Sequence, residues 1–485
     1  MNNITDNKDS IAVLGAGITG LTAAYLLQQK GKSPLVIERD KNTGGLAKTI
    51  DFNGFKFDLG GHRFLTKNYK LESFVKTLLN CRFVVVPRSS TIYLNNNYIK
   101  YPLDPLDTFN KVGYLKSFQF IYDYFIQKFY RNYNQDNSLE DWVVNRFGRS
   151  LYHAFFKDYS EKVWGLNCRK IDSDWIAQRI QNLNMGAAIM SAVLKSNRSK
   201  YATLTDKFLY PMDGIGSITE NLKQTVPNDK FLLDTKIERI EHNDRKIKSI
   251  NIHQNNKRHK LKVQRVLSTI PLNSIVSLLD PPPPDNVTNA ARQLKSRDLI
   301  LVTITLNRPL VTRNSWIYFP EKSIPFGRIH EPKNWSSTMS PRGKTSLVTE
   351  HFCFKDDHIW QSTDTQIIEQ SIKCLCKLNI INKNDVIDAL VVKVRNAYPL
   401  FEIGYRENSE IVSHYLSQFS NLTLAGRTGK FRYYNMDQAM LSAVDAVESI
   451  SQSRVNLNPD YETNIINIRS GELDEMRAYH TSLVT

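Results

Sequence analysis

The stretch from Ile11 to Asp40, IAVLGAGITGLTAAYLLQQKGKSPLVIERD, constrains the fold of this chain more than any other. Ile11 to Leu14 form a short apolar run that reads as a buried parallel strand. Gly15, Gly17 and Gly20 follow at the G-x-G-x-x-G spacing and open an Ala/Leu-rich helix that ends near Lys30 and stops at Gly31. Leu35-Val36-Ile37 then make a second strand finishing at Glu38. Each residue type has a job in such a unit. Gly15 permits the tight turn, Gly17 lets backbone approach a pyrophosphate, and Gly20 lets helix pack closely on sheet. The helix N-terminus offers unpaired N–H groups and a positive dipole to the anion. Glu38 stands close to the ~20-residue offset at which a carboxylate accepts hydrogen bonds from ribose hydroxyls. The unit predicts a dinucleotide site in an α/β fold of Rossmann type.

Lys41-Asn42-Thr43-Gly44-Gly45-Leu46-Ala47 and Asp58-Leu59-Gly60-Gly61-His62-Arg63-Phe64 continue from the acid. Their glycines suit close backbone approach to a ligand. With the preceding unit they resemble the FAD-binding start of the flavin amine-oxidase superfamily. The resemblance implies FAD as the dinucleotide, held by Gly15, Gly17, Gly20, Glu38, Gly44, Gly45, Leu46, Gly60, Gly61 and His62.

The chain has 485 residues, enough to bury a large core divided into two or three domains. Its apolar fraction of 41% fits an ordered globular protein. The net charge of +16 points to an anionic partner. Basic residues are dispersed with no accompanying nucleic-acid motif, which favours a phosphorylated small molecule over nucleic acid. Cys81, Cys168, Cys353, Cys374 and Cys376 are scattered and odd in number, and Cys374 and Cys376 face different directions on a helix. That spacing predicts neither a disulfide framework nor a metal site, and it points to a reducing compartment. MNNITDNKDS has no apolar signal-peptide core, and no run of about 18 apolar residues follows anywhere. The expectation is a cytoplasmic protein without a transmembrane segment.

The order of elements predicts a discontinuous FAD-binding domain of glutathione-reductase-like type over residues 1–66, 205–290 and 415–455. A mainly helical insert is expected over 67–204 and an antiparallel β-sheet substrate domain over 291–414, with an irregular tail over 456–485. Within the helical insert, Val112 to Tyr130 reads as one aromatic-rich amphipathic helix. Such a face suits buried core, an oligomer contact or a peripheral membrane surface.

Five places carry a narrower resemblance: GAGITGLTAAYLL, FDLGGHRF, KVWGL with the following WIAQRI, FGRIHEPKNW, and AGRTGKFRYYNMDQAM. Together they look like UDP-galactopyranose mutases, within the superfamily that also holds amine and protoporphyrinogen oxidases. The resemblance places His62 beside the flavin ring and Trp164 on the uridine side, with Arg179 on the next helix. Arg328 and Arg427 would hold a diphosphate, with Tyr398 and Tyr433 beside them. Ile237 and Gly426 join the cofactor set, and Asp437 and Gln438 begin a helix aimed at the electron-rich edge of the flavin. Physical chemistry supports the two arginines independently, because a guanidinium grips phosphate oxygens as a planar fork and tyrosine adds a neutral donor. Three departures bear on the substrate. Ser160 stands where some mutases have asparagine, Trp335 occupies the neighbourhood of a substrate tyrosine, and Pro211-Met212-Asp213-Gly214 lacks the basic residue and dense glycines of the family's mobile loop.

The implied activity is ring interconversion of a UDP-sugar by reduced FAD, with His62, Arg328 and Arg427 as the catalytic set, no metal, and NAD(P)H as one candidate reductant. Binding energy and orientation would come from the protein and the covalent chemistry from the cofactor. Two rivals stand beside it: an FAD-dependent oxidoreductase of amine- or protoporphyrinogen-oxidase type, which calls for an apolar cavity without paired arginines, and a non-catalytic flavoprotein in polysaccharide assembly.

Overall fold

A computed structural model of the chain describes residues 10–129, 136–179, 207–455 and 457. The strand Ser10–Leu14 pairs in parallel with Ser33–Ile37 on one side and Arg265–Ser268 on the other. Phe231–Leu232 and Leu422–Leu424 extend this sheet to five strands, all parallel. Val13 and Leu14 are fully buried, as a central strand covered on both faces demands. The helix Ile18–Gln29 covers one face together with Gly216–Gln224 and Met436–Ser451, which pack against it through Leu21, Leu26, Ile218, Met440 and Val447. Strands contributed from three distant stretches of sequence therefore close one layer.

A seven-stranded sheet forms the second layer, in the order 386–399, 296–306, 345–353, 328–330, 316–318, 90–94 and 97–100. The Ser90–Leu94/Asn97–Lys100 hairpin belongs to this sheet rather than to the helices that follow it. Trp316–Tyr318 pairs with Ser90–Ile92 in parallel, so the sheet is mixed at that one junction and antiparallel elsewhere. The long strands Ser296–Leu306 and Thr345–Cys353 are buried almost throughout, which explains their runs of β-branched and apolar residues.

The helical region holds Leu139–Phe147, started by a Ser138/Asp141 capping box, and Lys157–Trp164, which ends at Gly165 in the left-handed conformation. The aromatic stretch expected as a helix from Val112 is the one helix Tyr114–Phe129, while Val112 itself ends the separate helix Pro105–Val112 and Tyr130 lies outside the described residues. Gly113 (φ +94°) separates the two helices, in a conformation that a helix cannot carry through.

Two cations, half-buried Lys162 and buried Arg297, tie these layers together. Lys162 donates from Nζ to the carbonyls of Phe319, Glu321, Ile324 and Phe326. Arg297 donates to the carbonyls of Val163, Lys162 and Phe352 and lies 4.0 Å above the Phe354 ring. Between them they fix the end of the helix that carries Trp164 against the second sheet.

Candidate active site

Gly15 (φ +99°) makes the turn after the first strand, and a Cβ there would lie 2.5 Å from Thr269 Oγ1. Gly20 faces the other way: its Cβ would meet Gly15 O at 1.9 Å, so this glycine serves helix packing and does not line the cavity. The space over Gly17 is open, because a Cβ would find only Gly45 Cα, at 3.9 Å. Gly44 N donates to Ala16 O at 2.7 Å and brings the second glycine pair against the first turn. Glu38 receives Ala16 N on Oε2 (2.7 Å) and Asp40 N on Oε1 (2.9 Å). Gly426 (φ +82°) packs against Thr19, a contact too close for any side chain.

These residues form one end of a cavity of about 2150 Å³ in which Gly17, Gly45, Leu46, Gly61, His62, Ile237 and Gln438 are exposed to the interior. The volume is well beyond the roughly 300–1,000 Å³ of a single drug-sized ligand. The open space over Gly17, the adjacent helix N-terminus and the long cavity fit an FAD. At the far end of the cofactor region, the helix Met436–Ser451 is started by Asn435 and Gln438 in a capping box. Asp437 does not reach the cavity as expected. It sits half-buried beside Thr66, where burial raises its carboxyl pKa.

The other end of the cavity collects side chains from four elements. Tyr159, Ser160 and Trp164 come from Lys157–Trp164, Arg328 from the strand Arg328–His330, Tyr398 from Val386–Pro399, and Arg427 and Tyr433 from the turn before the last helix. The rings of Tyr398 and Tyr433 stack at 6.1 Å and 12°. The Arg427 guanidinium lies 5.2 Å and 4.4 Å from their centroids. It is anchored by Nη1 to Tyr434 O (3.2 Å) and by Nη2 to Ala397 O (3.1 Å), while Nε is buried without a partner. No carboxylate among the described residues pairs with it. Trp164 stands edge-on to both tyrosines, at 6.2 Å and 6.3 Å, and its Nε1 also has no partner. Arg179 closes the helix Asp174–Arg179, and its side chain lies outside the described residues.

Arg328 departs from expectation. Its Nε and Nη2 form a fork on Glu350, at 2.9 Å and 2.5 Å, and Glu350 is fully buried. Burial alone would raise the Glu350 carboxyl, but Arg328 and His330 outweigh it and hold the pKa at about 2. The fork is thus committed to a protein carboxylate, and the pair brings no net charge to the cavity. His330 completes the group, with Nδ1 3.2 Å from Glu350 Oε1 and its ring stacked on Trp335 at 4.8 Å. His62 is neutral: burial, and after it the charge of Arg427, push its pKa down to about 4. Its Nδ1 is buried without a partner.

The residues noted as departures find clear places. Ser160 is buried at the cavity wall. Trp335 is core, packed on Tyr210, Trp316 and His330 and away from the cavity. Asp213 is pinned by Lys56 (3.0 Å) and Arg82 (2.9 Å).

Sequence reasoning missed Glu350, whose signal was an acid inside the buried β-rich run TSLVTEHFC. It missed Tyr159, which lies within the KVWGL neighbourhood, and Trp316, whose indole leaves no room for a Cβ on Gly61. Asp58 was also missed. It accepts from Thr49 Oγ1 (2.6 Å), Tyr210 OH (2.7 Å) and Ile215 N (3.1 Å), and burial outweighs these bonds to raise its pKa to about 7.

Among the described residues no helix is long and apolar enough to cross a membrane, and no group of ligand-type side chains could hold a metal ion. Comparison with known proteins places this geometry. An inactive all-trans-retinol 13,14-reductase of Danio rerio is 54% identical over 59 residues, 12% of this chain and 10% of that protein. A UDP-galactopyranose mutase of Mycoplasma pneumoniae is 27% identical over 179 residues, 35% of this chain and 44% of that protein. The chain thus spans less than half the length of these curated relatives. The structure of a reduced UDP-galactopyranose mutase superposes with a TM-score of 0.80 at 21% identity, covering 91% of this chain and 95% of that one, which is a likeness of fold. Residues 18–451 match the family of flavin containing amine oxidoreductases, so the chain belongs to that family of FAD-dependent enzymes.

Proposed function

We propose that this enzyme interconverts ring forms of a nucleotide-diphosphate sugar, acting as a UDP-galactopyranose mutase does. The observation that carries the reading is Arg427, an arginine without a carboxylate partner among the described residues, set over Tyr398 and Tyr433. Aromatic faces attract cations. Here a fixed guanidinium already occupies them, so an ammonium substrate would meet a like charge while a diphosphate would meet an opposite one. The cavity also has room for a second ligand of nucleotide size beside the cofactor.

Bound and reduced, FAD supplies the nucleophile that such an interconversion needs. The chain's own residues bind and orient. Arg427 would hold the diphosphate through its departure and return, an effect of proximity. Burial pushes the Tyr398 hydroxyl up to about 12, so it stays a neutral donor to phosphate oxygen at physiological pH. The Arg328–Glu350 pair supplies a fixed dipole rather than a free charge. Neutral His62 keeps a ring nitrogen available to a polar group of the cofactor or sugar. With five unpaired cysteines, a reducing cytoplasmic setting belongs to the same proposal.

The test is incubation with UDP-galactose or UDP-N-acetylgalactosamine under dithionite without oxygen, followed by product chromatography. An isomeric product formed without net consumption of reductant supports the mutase. Failure to isomerise either sugar nucleotide, together with peroxide release from an amine or porphyrinogen in air, would place the enzyme with the oxidases.

A further inference from the structure

Arg88 lies between the strands Phe83–Pro87 and Ser90–Leu94 and lines the same cavity as Arg427. The chain beside it is clamped. Ser89 N donates to Ser315 Oγ (3.2 Å), Ser315 N donates to Ser89 O (2.5 Å), and Ser89 Oγ donates to Asn314 Oδ1 (3.1 Å). The Arg88 guanidinium stands 5.5 Å from the Tyr101 ring centroid, and its Nε is buried without a partner. No carboxylate among the described residues pairs with it. Tyr101 meets Tyr318 edge-on at 5.5 Å, and Tyr318 meets Tyr159 at 5.5 Å and 90°. Three rings thus stand between Arg88 and the side of the cavity that holds Arg328 and Tyr398, whose charges act on Tyr159. Trp316 lies two residues before Tyr318 on one strand and so shares its face. Its Nε1 would lie 2.4 Å from a Cβ on Gly61, and Arg63 sits 5.5 Å over its ring. This wall therefore starts beside Gly61 and His62, where the flavin ring is expected, and ends at Arg88.

We propose that Arg88 holds a carboxylate at the end of the substrate away from the nucleotide, so that the sugar is a hexuronic acid. The inference rests on the nucleotide-sugar reading above and narrows it. With the diphosphate at Arg427 and the anomeric carbon at the flavin, the far end of the sugar runs along the Trp316–Tyr318 wall. A half-buried guanidinium with no acid beside it carries a desolvation cost that an anionic ligand relieves. Its planar fork matches the two coplanar oxygens of a carboxylate, whereas the primary hydroxyl of a neutral hexose fills one donor only. The carboxylate replaces that primary alcohol and leaves both ring-closing hydroxyls free, so none of its bonds changes during the interconversion. Arg427 with its two tyrosines meets what every UDP-sugar shares, and Arg88 selects among them.

Calorimetric titration of the FAD-loaded protein with UDP, UDP-galactose and UDP-galacturonic acid tests this. The uronate should bind more than roughly tenfold tighter than UDP-galactose, the worth of one charged contact. Arg88→Gln should remove that preference while leaving the affinity for UDP and the flavin absorbance per chain unchanged. Arg88→Lys should keep part of the preference, because the charge remains and the fork does not. Equal binding of the two sugar nucleotides by the wild type overturns the proposal and leaves the nucleotide-sugar reading standing. So does an Arg88→Gln variant that loses UDP and UDP-galacturonic acid to the same extent, which would mean that Arg88 braces Tyr101 and meets no carboxylate. A wild type that fails to bind UDP at all overturns the nucleotide-sugar reading itself, and this inference with it.

Discussion

Arg328 grips both carboxylate oxygens of Glu350 inside the cavity wall, and the carboxylate has no exposure to solvent. The pair sits where two separate phosphate-binding arginines were expected, and it leaves Arg427 as the arginine of the two with no acid beside it among the described residues. Removing one member of a buried ion pair strands the other charge. Glu350→Gln should therefore lower the stability of the loaded enzyme by about 3–5 kcal/mol in denaturant titration. Replacing both residues, Arg328→Met with Glu350→Leu, should cost less than Glu350→Gln alone. A double variant less stable than the single would show that the pair is worth more than its desolvation.

Gly17 and Gly20 separate cofactor binding from folding. Gly17→Val adds atoms to open space, so the protein should fold but purify colourless and fail to take up FAD on reconstitution. Gly20→Ala places a methyl 1.9 Å from a backbone oxygen and should instead reduce soluble yield or thermal stability. Yellow, FAD-saturated Gly17→Val protein would remove the pyrophosphate from this turn.

For Arg427, calorimetric titration with UDP is the informative measurement. Losing a charged contact costs about 1.5–3 kcal/mol, so Arg427→Ala should weaken binding more than roughly tenfold. Arg427→Lys should restore little, because one ammonium cannot hold the Ala397 and Tyr434 carbonyls and a phosphate in the same plane. An unchanged dissociation constant in Arg427→Ala would exclude this residue as a phosphate ligand.

Acidification should destabilise the protein through His62. Its pKa is about 4 when folded and the ordinary value is 6.5, so between these limits the unfolded chain binds the extra proton. The stability contributed by the neutral, half-buried ring is complete above pH 6.5 and is lost progressively as pH falls toward 4. His351, also depressed to about 4 by burial, adds a parallel loss. Asp58 acts oppositely, since its raised pKa favours the folded state as pH falls from about 7. The difference in melting temperature between wild type and His62→Asn should therefore shrink on acidification from pH 6.5 to 4. A constant difference over that range would mean that His62 does not titrate with folding.

Local patterns made the cofactor end readable. A turn between two buried strands has few solutions, and Gly15, Gly17 and Glu38 fill one of them in a contiguous stretch of chain. Arg427, Tyr433 and Tyr398 were legible through family resemblance, and the structure brings all three together. What stayed hidden depends on pairings that sequence spacing does not encode. Glu350 reaches Arg328 only because Arg328–His330 lies beside Thr345–Cys353 in register, with Arg328 opposite Glu350. Asp58 becomes a buried junction only when Thr49, Tyr210 and Ile215 arrive from separate segments. The aromatic helix was legible to within two residues of its start, and only Val112 belongs instead to the helix before Gly113.

The four carbonyls gathered by Lys162 have a consequence for how the cavity wall can move. Phe319, Glu321, Ile324 and Phe326 lie within one loop of eight residues and converge on one ammonium. Displacing any one of them leaves the charge partly unsatisfied, and displacing all of them leaves it bare. Intermediate positions are thus the least rewarded, and the segment from Phe319 to Phe326 should either stay seated or depart whole, in an all-or-none motion with Lys162 as its latch.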